Sequence, residues 1–167
     1  MGDRGLDCPK HLKMTSAESS DAVCYTSTYR HGVDEKRRLQ IPAKWRPADP
    51  EAEFSLMVWT NHPAGACLRV LPPKQMKRLM AEIDAMPGGD PNKPILKRII
   101  GGQSTQVALD KAGRICLPED KARAAGIGSE AVLVGLLDRF EIWCPSRFAA
   151  VEAADNVMAS MALKLME

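Results

Sequence analysis

Two stretches of the chain alternate apolar and polar residues over the same short span and then stop at proline. Leu39-Gln40-Ile41 precedes Pro42, and Ile115-Cys116-Leu117 precedes Pro118. Alternation of period two is the pattern of a strand with one face buried. Proline ends such a strand because it has no N–H to give to a ladder. It also suits the first turn of a helix, so AKWR after Pro42 and EDKARAA after Pro118 are predicted short helices, the second ended by Gly126. Each leads into an apolar strand, FSLMVW at 54–59 and AVLVGL at 131–136. A turn follows, TNHPAG in one half and DR in the other, and then a closing strand, CLRVL at 67–71 and FEIW at 140–143. Order is predicted to begin near Tyr25, with His31 on the first strand.

One arrangement therefore occurs twice: strand, strand-like arm, short helix, strand, turn, strand. The arms are introduced by VDEKRRLQIP (33–42) and LDKAGRICLP (109–118), which share an Asp, an Arg four residues later and the same apolar positions. The motifs lie 76 residues apart and the closing strands 72, so the first copy carries about four extra residues, placed in its NHPAGA turn. Internal duplication accounts for this spacing. A unit of roughly 45 residues buries too little apolar surface to fold alone. The two copies are expected to pack face to face and share one core, in a mainly β chain with short helices (α+β).

Between the units, Met76, Leu79, Met80 and Ile83 recur at helical spacing within 72–86; PGGDPNKP breaks that helix, and ILKRIIGG starts another short one. A last helix, roughly 146–165, is predicted to place Phe148, Val151, Val157, Met161 and Leu165 on one side. Its methionines suit packing in the core or against a partner. The chain thus divides into a disordered tail (1–24), a first unit (28–75), a helical linker (76–103), a second unit (104–147) and a C-terminal helix (148–167).

An Asp in a turn between two strands can accept backbone N–H bonds and pair with a nearby Arg. Asp34 with Arg38, and Asp110 with Arg114, suit that structural role. The turns also carry Lys36, Arg37 and Lys111. Residues 30–46 hold six cationic side chains (Arg30, Lys36, Arg37, Arg38, Lys44, Arg46) against Asp34 and Glu35. Such a cluster suits a solvated face, and equally a loop that touches phosphates while an Arg fork reaches a base edge.

Composition adds mainly exclusions. A net charge of +2 over 167 residues does not announce nucleic acid, so that case rests on local clustering. No apolar run reaches the ~20 residues that span a bilayer, and no signal-like block opens the chain, so a cytoplasmic location is expected. Five scattered cysteines (8, 24, 67, 116, 144) suit a reducing compartment rather than a disulfide framework. Cys67, Cys116 and Cys144 fall in strand patterns and read as small core residues. Cys8 and His11 have a ligand-like spacing, but no second pair follows, so neither a metal nor a cofactor is expected. No phosphate-binding glycine loop, H-E-x-x-H or G-x-S-x-G motif is present. His31 and His62 are isolated, and Glu141 has no legible partner, so no enzyme or small-molecule substrate is indicated.

DEKRRLQIP, IIGGQSTQVALDKAGRICLP, AGI and AVLVGLLDRFEIW, in this order, resemble the MraZ family of bacterial regulators, built from two tandem SpoVT-AbrB units. The resemblance covers about residues 25–150 and is most specific from Arg98 to Trp143. It implies a double-split β-barrel made by both halves, ring-shaped oligomers, and association with the nucleoid. It also implies sequence-specific binding to double-stranded promoter repeats, usually as a repressor of the division and cell wall gene cluster that includes the family's own gene. The family's motif falls on Asp34, Arg38, Asp110 and Arg114. Lys36, Arg37, Arg38, Lys111 and Arg114 are then the candidate DNA contacts, and Asp34, Asp110 and Gly113 the turn-forming residues. The residue before each Arg is usually Gly; Gly113 keeps it and Arg37 replaces it, which predicts a strained or differently shaped first turn. The second functional class is a protein-interaction module like the antitoxins of AbrB-like fold.

Overall fold

A computed structural model describes residues 23–167. The expected tail lies outside the described residues except for Val23 and Cys24, and so do Cys8 and His11. The first half runs β1 (Thr28–Gly32), β2 (Arg38–Gln40), a 3-10 turn (Ala43–Trp45), β3 (Glu53–Trp59) and β4 (Cys67–Leu71). Two helices follow, α1 (Pro73–Asp84) and α2 (Asn92–Gln103). The second half runs β5 (Thr105–Ala108), β6 (Arg114–Cys116), α3 (Glu119–Ala124), β7 (Glu130–Gly135) and β8 (Phe140–Trp143). The chain ends in α4 (Pro145–Leu163). Among the described residues no helix is long and apolar enough to cross a membrane.

The strands form an open six-stranded antiparallel sheet, in the order β1-β7-β8-β4-β3-β5, and a separate two-stranded ladder, β2-β6. The halves do not lie side by side. Each gives its first strand to the other: β1 pairs with β7, and β5 with β3. The closing strands β4 and β8 meet in the middle of the sheet. The register makes the duplication visible in space. Leu39 faces Ile115, its counterpart 76 residues on, and Arg69 faces Glu141, its counterpart 72 residues on. A pseudo-two-fold axis thus runs through the centre of the ladder and the centre of the sheet.

Alternation decides what fills the interior. Phe54, Leu56, Leu68, Val70, Leu133 and Ile142 point from the sheet toward the ladder, which returns Leu39, Ile41, Ile115 and Leu117; all belong to one buried cluster. Trp45, fully buried after Pro42, is its largest member and donates Nε1–H to the Thr26 carbonyl at 3.1 Å. Tyr25, Tyr29 and Phe140 pack around its ring at centroid distances of 5.7, 5.2 and 5.0 Å. The opposite face of the sheet buries Cys67, Val132 and Trp143 under Val151 of α4. Gly126 ends α3 with φ +67°, while Ile127 N–H returns to the Ala122 carbonyl, the bond that closes a helix in the left-handed conformation. A Cβ on Gly126 would stand only 3.0 Å from the Arg147 guanidinium. That guanidinium donates to the carbonyls of Ala66 and Ala124, tying a loop of the first half to a helix of the second.

Three expectations need correction. Of the proposed core cysteines only Cys67 is buried; Cys116 is exposed and Cys144 is partly covered. On β6 the inward place belongs to Ile115, so alternation turns Cys116 out, and Cys144 has left the sheet to precede α4. Second, α2 is a full twelve-residue helix that starts at Asn92 and carries Pro94 in its first turn, where proline costs no hydrogen bond. Third, α4 does not present one face. Phe148 and Val151 pack on the sheet, but Val157, Met161 and Leu165 are exposed. At about 100° per residue, Val157 is turned roughly 120° from Val151.

Two tests follow from the exchanged strands. A fragment of residues 1–90 has no β7 to hold β1 and no β5 to close β3, so it should show no cooperative melt; a soluble fragment that melts cooperatively would mean independent halves. Trp45→Ala in the intact chain should lose about 3–5 kcal/mol in denaturant unfolding.

Candidate nucleic-acid interface

The two Asp–Arg motifs form matching turns at opposite ends of the β2–β6 ladder. Asp34 Oδ1 accepts the N–H groups of Lys36 (3.0 Å) and Arg38 (2.8 Å), and Oδ2 accepts Arg38 Nε–H at 2.6 Å. Asp110 Oδ1 accepts the N–H groups of Ala112 and Arg114, both at 2.9 Å, and Oδ2 accepts Arg114 Nε–H at 2.9 Å. Each carboxylate thus closes its loop and holds its arginine by one edge. The outer guanidinium nitrogens of Arg38 and Arg114 take no part in these bonds. Both side chains remain about one-third exposed, at 37% and 32%.

These bonds favour the charged carboxylates. Asp34 and Asp110 are held below the ordinary value of 3.8, first by the backbone N–H of the arginine and also by its side chain.

The turn before each arginine solves one problem in two ways. Gly113 has φ +77°, and Arg37, at the equivalent place, has φ +58°, so the first turn keeps the left-handed shape without glycine. The backbone bonds are reciprocal: Ile41 N–H donates to the Gly113 carbonyl, and Leu117 N–H to that of Arg37. Above Gly113, in space a Cβ would fill, lies the guanidinium of Arg46, whose Nε–H reaches the Ile41 carbonyl at 3.0 Å. In the other half the residue 76 places on from Arg46 is Ala122, and there Arg37 itself sends Nε–H to the Leu117 carbonyl at 3.0 Å. Either way a guanidinium caps the carbonyl at the end of the strand. The strain of a left-handed arginine is offset by that bond.

Lys36 and Lys111 stand exposed at the turn tips, and Arg37 is half-buried. The outward face of the ladder presents Arg38, Gln40, Arg114 and Cys116, with Arg38 opposite Cys116 and Gln40 opposite Arg114. Gln40 donates to the carbonyls of Ala112 and Gly113, crossing to the other turn. Sequence reading missed the parts played by Gln40 and Arg46. Alternation from Leu39 would have turned Gln40 outward, but only the fold shows Arg46 reaching Gly113. Over the two turns six cationic side chains, with Arg46, meet Asp34, Glu35 and Asp110.

The other polar candidates make local contacts away from the ladder. His31 stacks beside Tyr29, and His62 Nδ1 accepts the Ala64 N–H in its turn. Glu141 pairs with Arg69 at 2.9 Å and accepts Trp143 Nε1–H, while Arg69 lies 3.8 Å from the Trp59 ring centroid. Burial pushes the adjoining Cys67 thiol up to about 12, and the Glu141 charge adds to this. Among the described residues no group of three or more His, Cys, Asp or Glu is placed to hold a metal.

A depressed carboxylate pKa contributes stability that is present above the unfolded value and lost as pH falls through the folded one. At pH 6 the melting temperature of Asp34→Asn/Asp110→Asn should therefore lie below that of the wild type. The gap should close as pH drops below the carboxylate range; a gap that persists in acid would show that charge is not what closes the turns.

A family model for the "MraZ protein", whose description adds "antitoxin-like", matches residues 100–164. A "Transcriptional regulator MraZ" of Roseiflexus sp. (strain RS-1) is 32% identical over 144 residues, covering 86% of this chain and 97% of the relative. Relatives of the same name in Thermomicrobium roseum and Coxiella burnetii are 30% and 34% identical, covering 75% and 70% of this chain and 85% and 76% of their own. With matching turns from both halves on one ladder, and similarity that runs across both halves, the chain belongs to the MraZ family.

Proposed function

We propose that this protein is a transcriptional regulator that binds double-stranded DNA through the β2–β6 ladder. The observation that carries this reading is the pair of Asp-braced arginines on one outward face. A two-stranded ribbon fits a major groove ~12 Å wide. Diagonal neighbours on such a ribbon stand about 7–8 Å apart, so Arg38 and Arg114 span roughly two base steps of ~3.4 Å each. Each arginine is fixed by Nε and keeps its outer nitrogens for a guanine edge or a phosphate. Lys36, Lys111 and the free end of Arg37 then face the backbone on either side. Net charge is small, and avidity supplies what single ladders lack: several copies in a ring engage successive promoter repeats.

The family resemblance extends the proposal. The two SpoVT-AbrB units, 28–75 and 104–147, joined by the helical linker 76–103, close as a double-split β-barrel. The ring acts in the cytoplasm, on the nucleoid, as a repressor of the division and cell wall gene cluster including its own gene. No catalysis, cofactor or small-molecule substrate enters this function. The second reading is an antitoxin-type interaction module, favoured by the family description and by the exposed end of α4. Binding to promoter repeats no tighter than to scrambled DNA, together with tight capture of a protein partner, would select it.

Arg38→Ala and Arg114→Ala should each weaken promoter binding by roughly 1–3 kcal/mol and relax sequence preference if they read bases. Lys36→Ala and Lys111→Ala should weaken all sequences alike and flatten the log–log salt slope by about 0.9 for each phosphate left unneutralised. Thermal melts of the same variants separate these effects from loss of folded protein. Unchanged affinity in Arg37→Ala/Arg38→Ala and in Arg114→Ala, with folding intact, would remove the ladder from the DNA-binding account.

A further inference from the structure

We propose that the C-terminal half of α4 seats in the groove between α1 and α2 of a second copy of this chain, joining copies head to tail. The proposal rests on the ring reading for its stoichiometry and is independent of DNA binding. Beyond Val151, α4 leaves the sheet. Val157, Met158, Met161 and Leu165 are 78%, 55%, 63% and 89% exposed. With Ala150 and Ala154 they recur at spacings of three and four, a continuous stripe that starts beside the docked Val151, on the side away from Phe148, and runs past the sheet to Leu165 in the 3-10 turn after α4. Beyond Val151 this stripe is exposed within one copy, an apolar surface left for a partner to cover.

The hairpin of α1 and α2 has the complementary deficit. None of the twelve residues of α2 is buried, although it carries Ile95, Leu96, Ile99 and Ile100. A helix of this length is marginal in water without a packed face. Between the two helices runs an apolar groove of about 280 Å³, lined by α1 and α2 alone, with Met76, Met80, Ile83 and Ile100 in its walls. Gly101, at one end, has open space where a Cβ would point, which lets another helix approach closely. A third helix laid there completes a packing unit that two helices leave open.

Charge selects the occupant. Residues 73–103 carry six cations (Lys74, Lys77, Arg78, Lys93, Lys97, Arg98) against three carboxylates. From Glu152 onward the chain carries three carboxylates (Glu152, Asp155, Glu167) against Lys164. The tail therefore suits the hairpin, whereas pairing α4 with another α4 sets like charges together. Because tail and groove are different surfaces, the contact is heterologous, and a closing rotation yields a ring. Every copy both gives a helix and receives one, so the area buried per copy is twice that of a single contact.

Cysteine cross-linking tests this in the full chain, with Cys8, Cys24, Cys116 and Cys144 changed to Ser; the buried Cys67 stays. Chains with Met80→Cys are mixed with chains with Met161→Cys and oxidised. The expected product is the mixed dimer in excess over either like pair, and the double variant should give a ladder of covalent multimers. A like-with-like dimer of Met161→Cys chains, or no cross-link while light scattering still shows an assembly, overturns the proposal and leaves the ring standing. In parallel, Val157→Glu/Met161→Glu should shift the assembly to an 18.3 kDa species with its melt unchanged; an assembly that persists in this variant also overturns it. An unmodified chain that scatters only as 18.3 kDa across micromolar concentrations removes this proposal and the ring together.

Discussion

The exchange of first strands between the two halves is the constraint on which the rest of this structure depends. Neither β3 nor β7 has its outer neighbour within its own half, since each is completed by a strand from the other. The apolar residues of the arms share a single interior, with Leu39 and Ile115 meeting on the axis. Cooperativity follows directly, because removing either half strips the other of both an edge strand and a core wall. The ladder that carries the candidate arginines is also a product of the exchange: it exists only because one arm comes from each half.

Duplication within one chain then allows what a symmetric dimer of identical units could not. On the axis a residue meets its own counterpart, so identical copies would place like against like. Here Arg69 meets Glu141, and the two copies have diverged into an ion pair flanked by Trp59 and Trp143. Buried pairs of this kind add little net stability but make the loss of one partner costly. Here the pair joins directly opposed positions of β4 and β8 at the middle of the sheet. The two turns show the same freedom in another form: one caps a strand-end carbonyl with Arg46 over a glycine, the other with Arg37 from the turn itself.

Under the proposed DNA-binding reading, these contacts matter through rigidity. An arginine that reads a base must hold its fork within a narrow range of positions, and each freely rotating bond would tax affinity. Asp34 and Asp110 fix one edge of each guanidinium, Gln40 crosses from one turn to the other, and the tight ladder register sets their separation. The face is thus pre-arranged before any partner arrives. α4 and the α1–α2 hairpin present the opposite case, apolar surfaces whose packing is incomplete within one copy.

Much of this was legible from residue order alone. The period-two alternation, the proline stops and the 76-residue spacing located the strands, the repeat and the positions of Asp34, Arg38, Asp110 and Arg114, because local sterics and backbone hydrogen bonding act over a few residues. The longer first turn was equally readable, although the register puts its excess at five residues and leaves the first copy one residue shorter between Pro42 and β3 than the second is between Pro118 and β7. Alternation from Leu39 and Ile115 also turns Gln40 and Cys116 outward. What residue order could not state is which strand pairs with which. β1 on β7 and β5 on β3 are pairings across about a hundred residues and about fifty, which local patterns do not encode. Nor could it show that Arg37 tolerates a left-handed turn, since the bond that offsets the strain goes to Leu117, 80 residues away. The composition and the local turns were written in the sequence, while the pairing of the halves, and with it the face that carries the arginines, was decided only when distant segments shared one core.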